Sequence, residues 1–378
     1  MIKQTPPMGW NTWNTFGENI NEDLIKKTAD ILVNTGLRDC GYDYVILDDC
    51  WSLKRRDAKT GKLVADPVKF PSGMKALGDY LHERGLKFGI YSCIGTLTCQ
   101  KYPGSFDYEF LDAQTFAEWG VDYLKYDHCY RAETYKSETL YRRMSIALAN
   151  CGRDILFNTC SWGEQETAKW INSIDAHAWR STGDIFDKWE SIYDLFLQQF
   201  SILGLGGKNC FNDMDMLVVG MKGKGNVGLG GCTYDEYKAH FDIWAFMASN
   251  LIIGCDIREM DEETLKILSN KEVIAINQDE AVRQPFIIQD NKWHKILGRH
   301  LSNGDIAVLV VNTTTEVANN LSFNLDMLGL SKVTGKTLQV RDTETGEEWK
   351  IDNCVFDISP FKLKGHSTKL FRAKVVDL

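Results

Sequence analysis

The sequence predicts an α/β protein, with a (β/α)8 barrel over residues 1–284 followed by an antiparallel β-sandwich over residues 285–378. Two observations favour this architecture. Short apolar runs alternate with amphipathic helical stretches through roughly the first 280 residues, and strand-like runs with turn signals replace them afterwards. With 378 residues the chain exceeds the length that one hydrophobic core usually serves. We therefore expect one large domain and one small domain.

Eight apolar runs are the predicted barrel strands. Parallel strands that are buried on both faces have continuous apolar sequences rather than alternating ones, and these runs have that character. In chain order the runs are PPMGWN (6–11), YVILDD (44–49), KFGIYS (87–92), YLKYD (123–127), ILFNT (155–159), AHAW (176–179), NCFND (209–213) and LIIGCD (251–256).

Helical periodicity separates the runs. The segment EDLIKKTADILVNTG (22–36) places its apolar residues near one face and ends at a glycine, as do MKALGDYLHERG (74–85) and TFAEWG (115–120). The segment YDEYKAHFDIWAFMAS (234–249) is a longer helix before the eighth run. Right-handed crossovers between such strands close a parallel sheet into a barrel.

After about residue 280 the pattern indicates β-strands. The run IAVLVV (306–311) follows an SNGD turn, and RDTETGEEWKI (341–351) is typical of a hairpin around Glu344-Thr345-Gly346. No Pro/Ser-rich linker marks the junction, so we expect the two domains to pack closely.

Charge and composition exclude several classes of partner. A net charge of -9 argues against nucleic acid and against an anionic membrane. The N-terminus lacks a signal-peptide core and no apolar run of ~18 residues occurs, so we expect a cytoplasmic protein. The eleven cysteines show neither zinc-finger spacing nor a C-x-x-C pair, which favours buried thiols.

Polar and aromatic residues follow the predicted strands, at the end of a barrel where active sites form. Carboxylates and cations bind hydroxyls, and aromatic rings cover the apolar faces of sugars, so the mixture suits a polyol ligand. These residues are Trp10, Trp13, Asp48, Asp49, Tyr91, Lys125, Asp127, Cys160, Trp162, Arg180, Asp184, Asp213 and Asp215.

Two of these carboxylates can hydrolyse a glycoside, one as nucleophile and one as proton donor, when they lie ~5–5.5 Å apart. Lys125 precedes Asp127 by two residues on the same strand face, so its charge should lower the pKa of Asp127 and favour it as the nucleophile. The acid must keep its proton, so it needs a less cationic environment or the nearby negative charge of the other carboxylate. Asp184, in the loop after the sixth run, suits that role.

The sequence resembles glycoside hydrolase family 27, the family of α-galactosidases and α-N-acetylgalactosaminidases. The matching motifs occur in family order across the barrel. They are PPMGWNTWNTF (6–16), YDYVILDDCW (42–51), the segment 89–130 that ends in VDYLKYDHCY, TCSWG (159–163), WRSTGDIFD (179–187), FNDMDMLVVG (211–220) and VIAINQD (273–279).

The resemblance implies a retaining exo-α-galactosidase without cofactor or metal, with Asp127 as nucleophile and Asp184 as acid/base. A galactoside is the expected partner, no nucleic acid or membrane is expected, and a homo-oligomer is left open. The motifs align Trp13, Asp48, Asp49, Tyr91, Lys125, Arg180 and Asp215 with sugar-contacting residues. Cys99, Cys160, Ser161 and Trp162 complete the candidate substrate contacts.

Specificity depends on two positions of this pattern. In the family, a longer acid at the position of Asp48 accompanies a preference for arabinopyranose, so the short Asp48 favours galactose. Ser161 matches animal α-N-acetylgalactosaminidases, whereas Gly163 after Trp162 matches galactosidases with a short loop. Galactose is favoured, and the 2-acetamido sugar is the alternative.

Other hypotheses stay open at this point. Cys99 and Cys129 align with a disulfide of secreted relatives, and whether they are bonded here is left open. A non-catalytic sugar-binding barrel is one rival, and a metalloenzyme that uses Asp48, Asp49, His128 and Cys129 is another. We expect His128 and Cys129 to be structural, because His128 has no second ligand at metal-helix spacing.

Overall fold

The computed structural model describes residues 4–378. Within that range an eight-stranded parallel sheet curls into a barrel, in the order β7-β6-β5-β4-β3-β2-β1-β8. A parallel bridge between Leu217, which follows the seventh strand, and Ile253 connects the two ends of the sheet. All eight predicted runs form strands. They are β1 (Met8–Asn11), β2 (Tyr44–Ile46), β3 (Lys87–Cys93), β4 (Tyr123–Asp127), β5 (Leu156–Cys160), β6 (Ala178–Arg180), β7 (Phe211–Asp213) and β8 (Leu251–Ile253).

The helices of the described chain surround this sheet. They are α1 (Trp13–Phe16), α2 (Glu22–Asn34), α3 (Leu37–Cys40), α4 (Gly73–His82), α5 (Glu109–Glu118), α6 (Ser137–Ala149), α7 (Thr167–Trp170), α8 (Trp189–Gln198), α9 (Tyr234–Phe246), α10 (Glu262–Leu268) and α11 (Lys271–Asn277). None of the helices within residues 4–378 is long and apolar enough to cross a bilayer.

The four helices expected from periodicity are present, with one difference. Helix α5 begins at Glu109, earlier than the predicted segment 115–120. Its first turn buries Glu109 against Arg143 and Asp112 against Arg56. Because buried charged residues interrupt the apolar pattern there, periodicity does not reveal the first turn.

The second domain contains two antiparallel sheets within the described residues, one of six strands and one of two. Their orders are β14-β13-β16-β11-β10-β9 and β12-β15. The predicted hairpin is confirmed: β13 pairs with β14, and Gly346 in the turn has a φ of 75°. The strands are β9 (Phe286–Asp290), β10 (His294–His300), β11 (Ile306–Asn312), β12 (Ser322–Asn324), β13 (Lys336–Asp342), β14 (Glu348–Lys350), β15 (Val355–Asp357) and β16 (Thr368–Asp377). The boundary at residues 284/285 stays a prediction.

The two domains pack closely, as the absence of a linker predicted. Leu297, Leu309 and Leu370 of the second domain belong to the same buried apolar cluster as the barrel helices. At the edge of this interface Asp242 of α9 accepts hydrogen bonds from Thr368 of β16, at 2.6 Å, and from Lys238, at 2.7 Å. The sandwich therefore covers α9, on the outside of the barrel.

The strand register positions the candidate site. Cys93, Asp127, Cys160, Arg180 and Asp213 are successive neighbours across β3, β4, β5, β6 and β7. Each is the last residue of its strand. The carboxyl ends of parallel strands meet at one face of a barrel, so the register places charged and thiol side chains around a single opening.

Candidate active site

A cavity of about 160 Å³ opens at the carboxyl ends of the barrel strands. Of the residues that the sequence predicted at this opening, Trp10, Cys160, Ser161 and Asp213 do not line it, and the others do. The lining residues are Trp13, Asn14, Asp48, Asp49, Tyr91, Cys99, Gln100, Lys125, Asp127, Trp162, Arg180, Asp184, Ile185, Asp215, Met216 and Val227. Larger grooves occur elsewhere on the surface, such as one near Arg153 and His177, but that groove holds neither Asp127 nor Asp184.

Asp127 is held at the base of this cavity by two hydrogen bonds. The Tyr91 hydroxyl donates to Oδ2 at 2.9 Å, and the backbone N–H of His128 donates to Oδ1 at 2.9 Å. The side chain is buried, and burial raises the pKa of this carboxyl above its ordinary value, against the opposing charges of Lys125 and Arg180. Both oxygens are therefore fixed in orientation.

Asp184 stands at the rim, where 64% of its side chain is exposed. Arg180 Nη2 donates a hydrogen bond to Asp184 Oδ1 at 2.7 Å. The same nitrogen lies 2.9 Å from Asp215 Oδ2. Partial burial would raise the pKa of Asp184, but the Arg180 guanidinium outweighs it and holds that pKa below the ordinary value. Burial raises the pKa of Asp215, against the same guanidinium.

These pKa directions correct the electrostatic argument made from sequence. The charge of Lys125 does act to lower the pKa of Asp127, as expected, but the Lys125 ammonium pairs with Asp48, at 2.7 Å, and desolvation outweighs it, so the net shift of the Asp127 pKa is upward. Asp184 was expected in a less cationic environment or beside the negative charge of the other carboxylate, yet it is paired with Arg180, and its pKa is lowered. Spacing along one strand could not show which carboxylates on neighbouring strands and loops would pair with Lys125 and Arg180.

The adjacent carboxylates Asp48 and Asp49 also line the cavity. Asp48 Oδ2 accepts from Lys125 Nζ at 2.7 Å and from Asn11 Nδ2 at 2.9 Å. Asp49 accepts from the backbone N–H of Cys50 at 2.7 Å and of Gln100 at 2.9 Å. Burial raises the pKa of Asp49 to about 6.

Cys160 and Ser161, two predicted substrate contacts, do not line the cavity. Ser161 is fully buried, and its hydroxyl lies 2.6 Å from that of Thr167. Cys160 borders a separate cavity of about 20 Å³ inside the barrel, with Asp213. The backbone turns after β5, where Trp162 has a φ of 57°, and this turn directs Trp162 rather than Ser161 toward the cavity. Trp10, also expected at the mouth, is buried in the core.

His128 is structural, as expected. Its Nε2 lies 2.5 Å from the Ser137 hydroxyl, its ring packs edge-on against Trp162, and burial lowers its pKa to about 4. The four residues of the metalloenzyme hypothesis do not converge. Within the described part of the chain, the one cluster of metal-ligand type is Cys99, Asp127 and Cys129, and its two sulfur atoms form a disulfide.

Two residues with roles in the site were missed from sequence. Asn11 supports Asp48, and its position at the end of the first strand was an available signal. Gln100 orients Asp49 through a backbone N–H, and that contact depends only on how the loop after β3 folds. No side-chain property of Gln100 could have indicated it.

A barrel that presents carboxylates, aromatic rings and two cations around one small cavity has the architecture of a glycoside hydrolase. Comparisons with known proteins agree. Residues 5–279 match the family model described as alpha galactosidase A, and residues 292–373 match the alpha galactosidase C-terminal beta sandwich domain. The chain is 47% identical to alpha-galactosidase 2 of Arabidopsis thaliana over 316 residues, which are 83% of this chain and 77% of that protein.

Solved structures show the same similarity in three dimensions. Alpha-galactosidase I from Mortierella vinacea has a TM-score of 0.91 at 33% identity. The match covers 98% of this chain and 97% of that protein's chain. An alpha-galactosidase from Saccharomyces cerevisiae, solved with raffinose, has a TM-score of 0.86 at 29% identity. The match covers 99% of this chain and 98% of that protein's chain.

The chain belongs to the α-galactosidase family. It is an enzyme that hydrolyses α-galactosides, which confirms the prediction of a glycoside hydrolase over a non-catalytic sugar-binding barrel. The relatives do not favour the α-N-acetylgalactosaminidase alternative.

Proposed function

We propose that the enzyme removes single terminal α-galactose residues by a retaining double displacement, with Asp127 as nucleophile and Asp184 as acid/base. One observation carries this assignment: a buried, doubly hydrogen-bonded carboxylate and a carboxylate exposed at the rim face the same small cavity. The first can reach only the enclosed sugar. The second lies where a leaving group would emerge toward solvent.

The reaction follows from these two positions. An Asp127 oxygen attacks the anomeric carbon while the glycosidic oxygen takes a proton from Asp184, and the aglycone leaves as an alcohol. Water then attacks the galactosyl ester, loses its proton to Asp184 and releases galactose with its original anomeric configuration. Before the first step Asp184 must bind a proton, so we infer that substrate loosens its contact with Arg180.

The exo-action is supported by the size of the cavity. Its volume of about 160 Å³ lies below the ~300–1,000 Å³ of most ligand clefts, so it suits one sugar ring rather than a chain. Longer substrates would extend outward past Asp184. The raffinose bound in the Saccharomyces cerevisiae relative supports oligosaccharides of that type as substrates.

Selectivity for galactose is assigned to the wall formed by Asp48, Asp49 and Lys125. Asp48 and Asp49 are buried and the Lys125 side chain is 12% exposed, so a sugar that leaves one of these groups without a hydroxyl partner costs ~1–3 kcal/mol for each unmatched group. The axial O4 and the O6 of galactose can satisfy them together. Ser161 does not line the cavity, which leaves Trp162 as the residue of that loop nearest the sugar.

Replacement of the nucleophile tests the mechanism. Asp127→Ala should abolish turnover of an aryl α-galactoside, and azide should restore it with β-galactosyl azide as product. Asp184→Ala should still release dinitrophenol from dinitrophenyl α-galactoside in an initial burst, because that leaving group needs little protonation. Its steady turnover should be slow, because the second step has lost its base, and the methyl glycoside should not be hydrolysed. Normal activity of Asp127→Ala would disprove the assignment.

The same assays address two remaining points. Proton NMR of the first product formed should show α-galactose for a retaining enzyme. Rates on aryl α-galactoside and aryl N-acetyl-α-galactosaminide, measured side by side, should favour the former. A cytoplasmic location is part of the proposal and can be checked by fractionation of the source cells.

A further inference from the structure

The disulfide between Cys99 and Cys129 lies against the proposed nucleophile. Cys99 Sγ is 3.8 Å from Asp127 Oδ2, and the Tyr91 hydroxyl is 3.8 Å from Cys129 Sγ. One ligand atom from each of Cys99, Asp127 and Cys129 lies within 4.8 Å of the other two. Three ligand atoms this close together can share one metal ion once the two sulfurs are no longer bonded to each other.

We propose that reduction of this disulfide creates a binding site for a soft divalent cation such as Zn²⁺ or Cd²⁺, and that the bound cation blocks the enzyme. A dithiol or phosphine reductant supplies two electrons, and two protons from water complete the Cys99 and Cys129 thiols. The cation then displaces two protons and is held by two thiolates and one Asp127 oxygen. A water molecule can complete a tetrahedral shell.

The loops should keep the two cysteines together after the bond is cut. The loop after β3 is joined to the end of β4 by hydrogen bonds from Ile94 N to Asp127 O, at 2.9 Å, and from Thr96 N to Tyr130 O, at 3.3 Å. Gly95 packs so closely that a Cβ there would lie 2.0 Å from the Cys129 carbonyl oxygen. The loops are therefore in contact without the help of the disulfide.

The geometry needs only a small adjustment. The Cys99 and Cys129 Cα atoms are 5.1 Å apart. Two sulfurs at Zn–S distances of ~2.3 Å in a tetrahedral shell lie ~3.8 Å apart, which side-chain rotation can supply at this Cα separation. Lys125 and Arg180 carry positive charge near Asp127, so the anionic ligand set is not isolated in an apolar region.

Inhibition rests on the proposed role of Asp127, whereas metal binding does not. A cation bound to Asp127 Oδ2 occupies the oxygen that Tyr91 now orients, and it stands in the cavity that Cys99 lines. A nucleophile engaged in this way cannot attack the sugar. Binding and turnover therefore need separate measurements.

The test compares oxidised and reduced wild-type protein. After reduction with a phosphine and its anaerobic removal, Cd²⁺ titration should produce ultraviolet thiolate–cadmium absorbance with one-to-one stoichiometry. Turnover of the aryl galactoside should fall in step with this signal, and EDTA should restore it. The oxidised protein should show neither effect. Because no substitution is involved, misfolding of a variant cannot account for the result.

Variants locate the site. The Cys99→Ser/Cys129→Ser double variant should show no cadmium band, and its rate relative to its own metal-free rate should not change. Asp127→Asn should keep the band but bind Cd²⁺ roughly 10–100-fold more weakly. Cys40→Ser and Cys232→Ser remove half-buried free thiols elsewhere and should behave like wild type.

Two outcomes would overturn the proposal: no thiolate band in the reduced wild-type protein, or a band without loss of turnover. Failure of the proposed mechanism is distinguishable from both. In that case Asp127→Ala would hydrolyse the substrate normally, while the cadmium titration of the reduced wild-type protein would still report on the thiols.

Discussion

Arg180 donates a hydrogen bond to Asp184, with 2.7 Å between Nη2 and Oδ1. The same guanidinium is 2.9 Å from Asp215, so one buried cation pairs with two carboxylates. The pKa of Asp184 is lowered and that of Asp215 is raised. Asp184 is ionised in the empty enzyme as a result. A carboxylate that must donate a proton starts without one, and this has a measurable kinetic consequence.

The basic limb of kcat/KM should lie at lower pH than that of kcat. The first reports Asp184 in the free enzyme, where Arg180 lowers its pKa, and the second reports it in the complex. We expect a separation of at least about one pH unit, or ~1.4 kcal/mol of differential interaction. The pH profiles of kcat and kcat/KM with methyl α-galactoside, whose methanol leaving group needs protonation, would measure this separation. Coincident limbs would show that substrate leaves the Arg180 contact intact.

Galactose should bind more weakly as the pH falls below 6. Burial raises the pKa of Asp49 to about 6, so Asp49 gains a proton there and loses an acceptor for the sugar hydroxyls. The Kd, followed by Trp13 and Trp162 fluorescence, should rise by up to about tenfold per pH unit. Asp49→Asn should bind weakly and with a smaller pH dependence, because burial also raises the pKa of Asp215 to about 6. A wild-type Kd that does not change between pH 5 and about 8 would contradict the role of Asp49.

Gly163→Ala should impair the loop that carries Trp162. Gly163 has a φ of 77°, and a Cβ there would lie 2.4 Å from the Ser181 carbonyl oxygen. The strain, about 1–3 kcal/mol, should lower both Tm and kcat/KM. Gly183→Ala is the matched control, because a Cβ at that position meets no atom within 4 Å. Equal effects of the two substitutions would argue against backbone strain as the cause.

Lys238→Met should destabilise the junction of the domains. Among residues 4–378 it leaves the buried Asp242 carboxylate with the Thr368 hydroxyl as its remaining partner, and an unpaired buried charge costs about 3–5 kcal/mol. The Lys238→Met/Asp242→Leu double variant should recover part of the lost stability. Urea unfolding measures both, and kcat of the folded fraction should stay at the wild-type value. A single variant as stable as wild type would show that this pair carries little of the interface energy.

Prediction from sequence succeeded where one strand or one helix face decides the structure. Strands β2 and β4 were recognised because burial on both faces selects continuous apolar residues. Asp127 and Asp184 were placed at one opening because parallel strands all end at the same face of a barrel. The start of α5 was missed because its buried charges are paired with distant residues.

The sequence by itself determined the order of strands and helices, the small second domain and most of the residues at the mouth of the barrel, because these follow from local periodicity and from where strands end. Only the tertiary structure decided which cation serves which carboxylate, that Ser161 turns away from the cavity, and that Cys99 meets Cys129 beside Asp127. Such contacts join residues on different strands and loops. Their energies depend on distance and burial in three dimensions, which spacing along the chain does not encode.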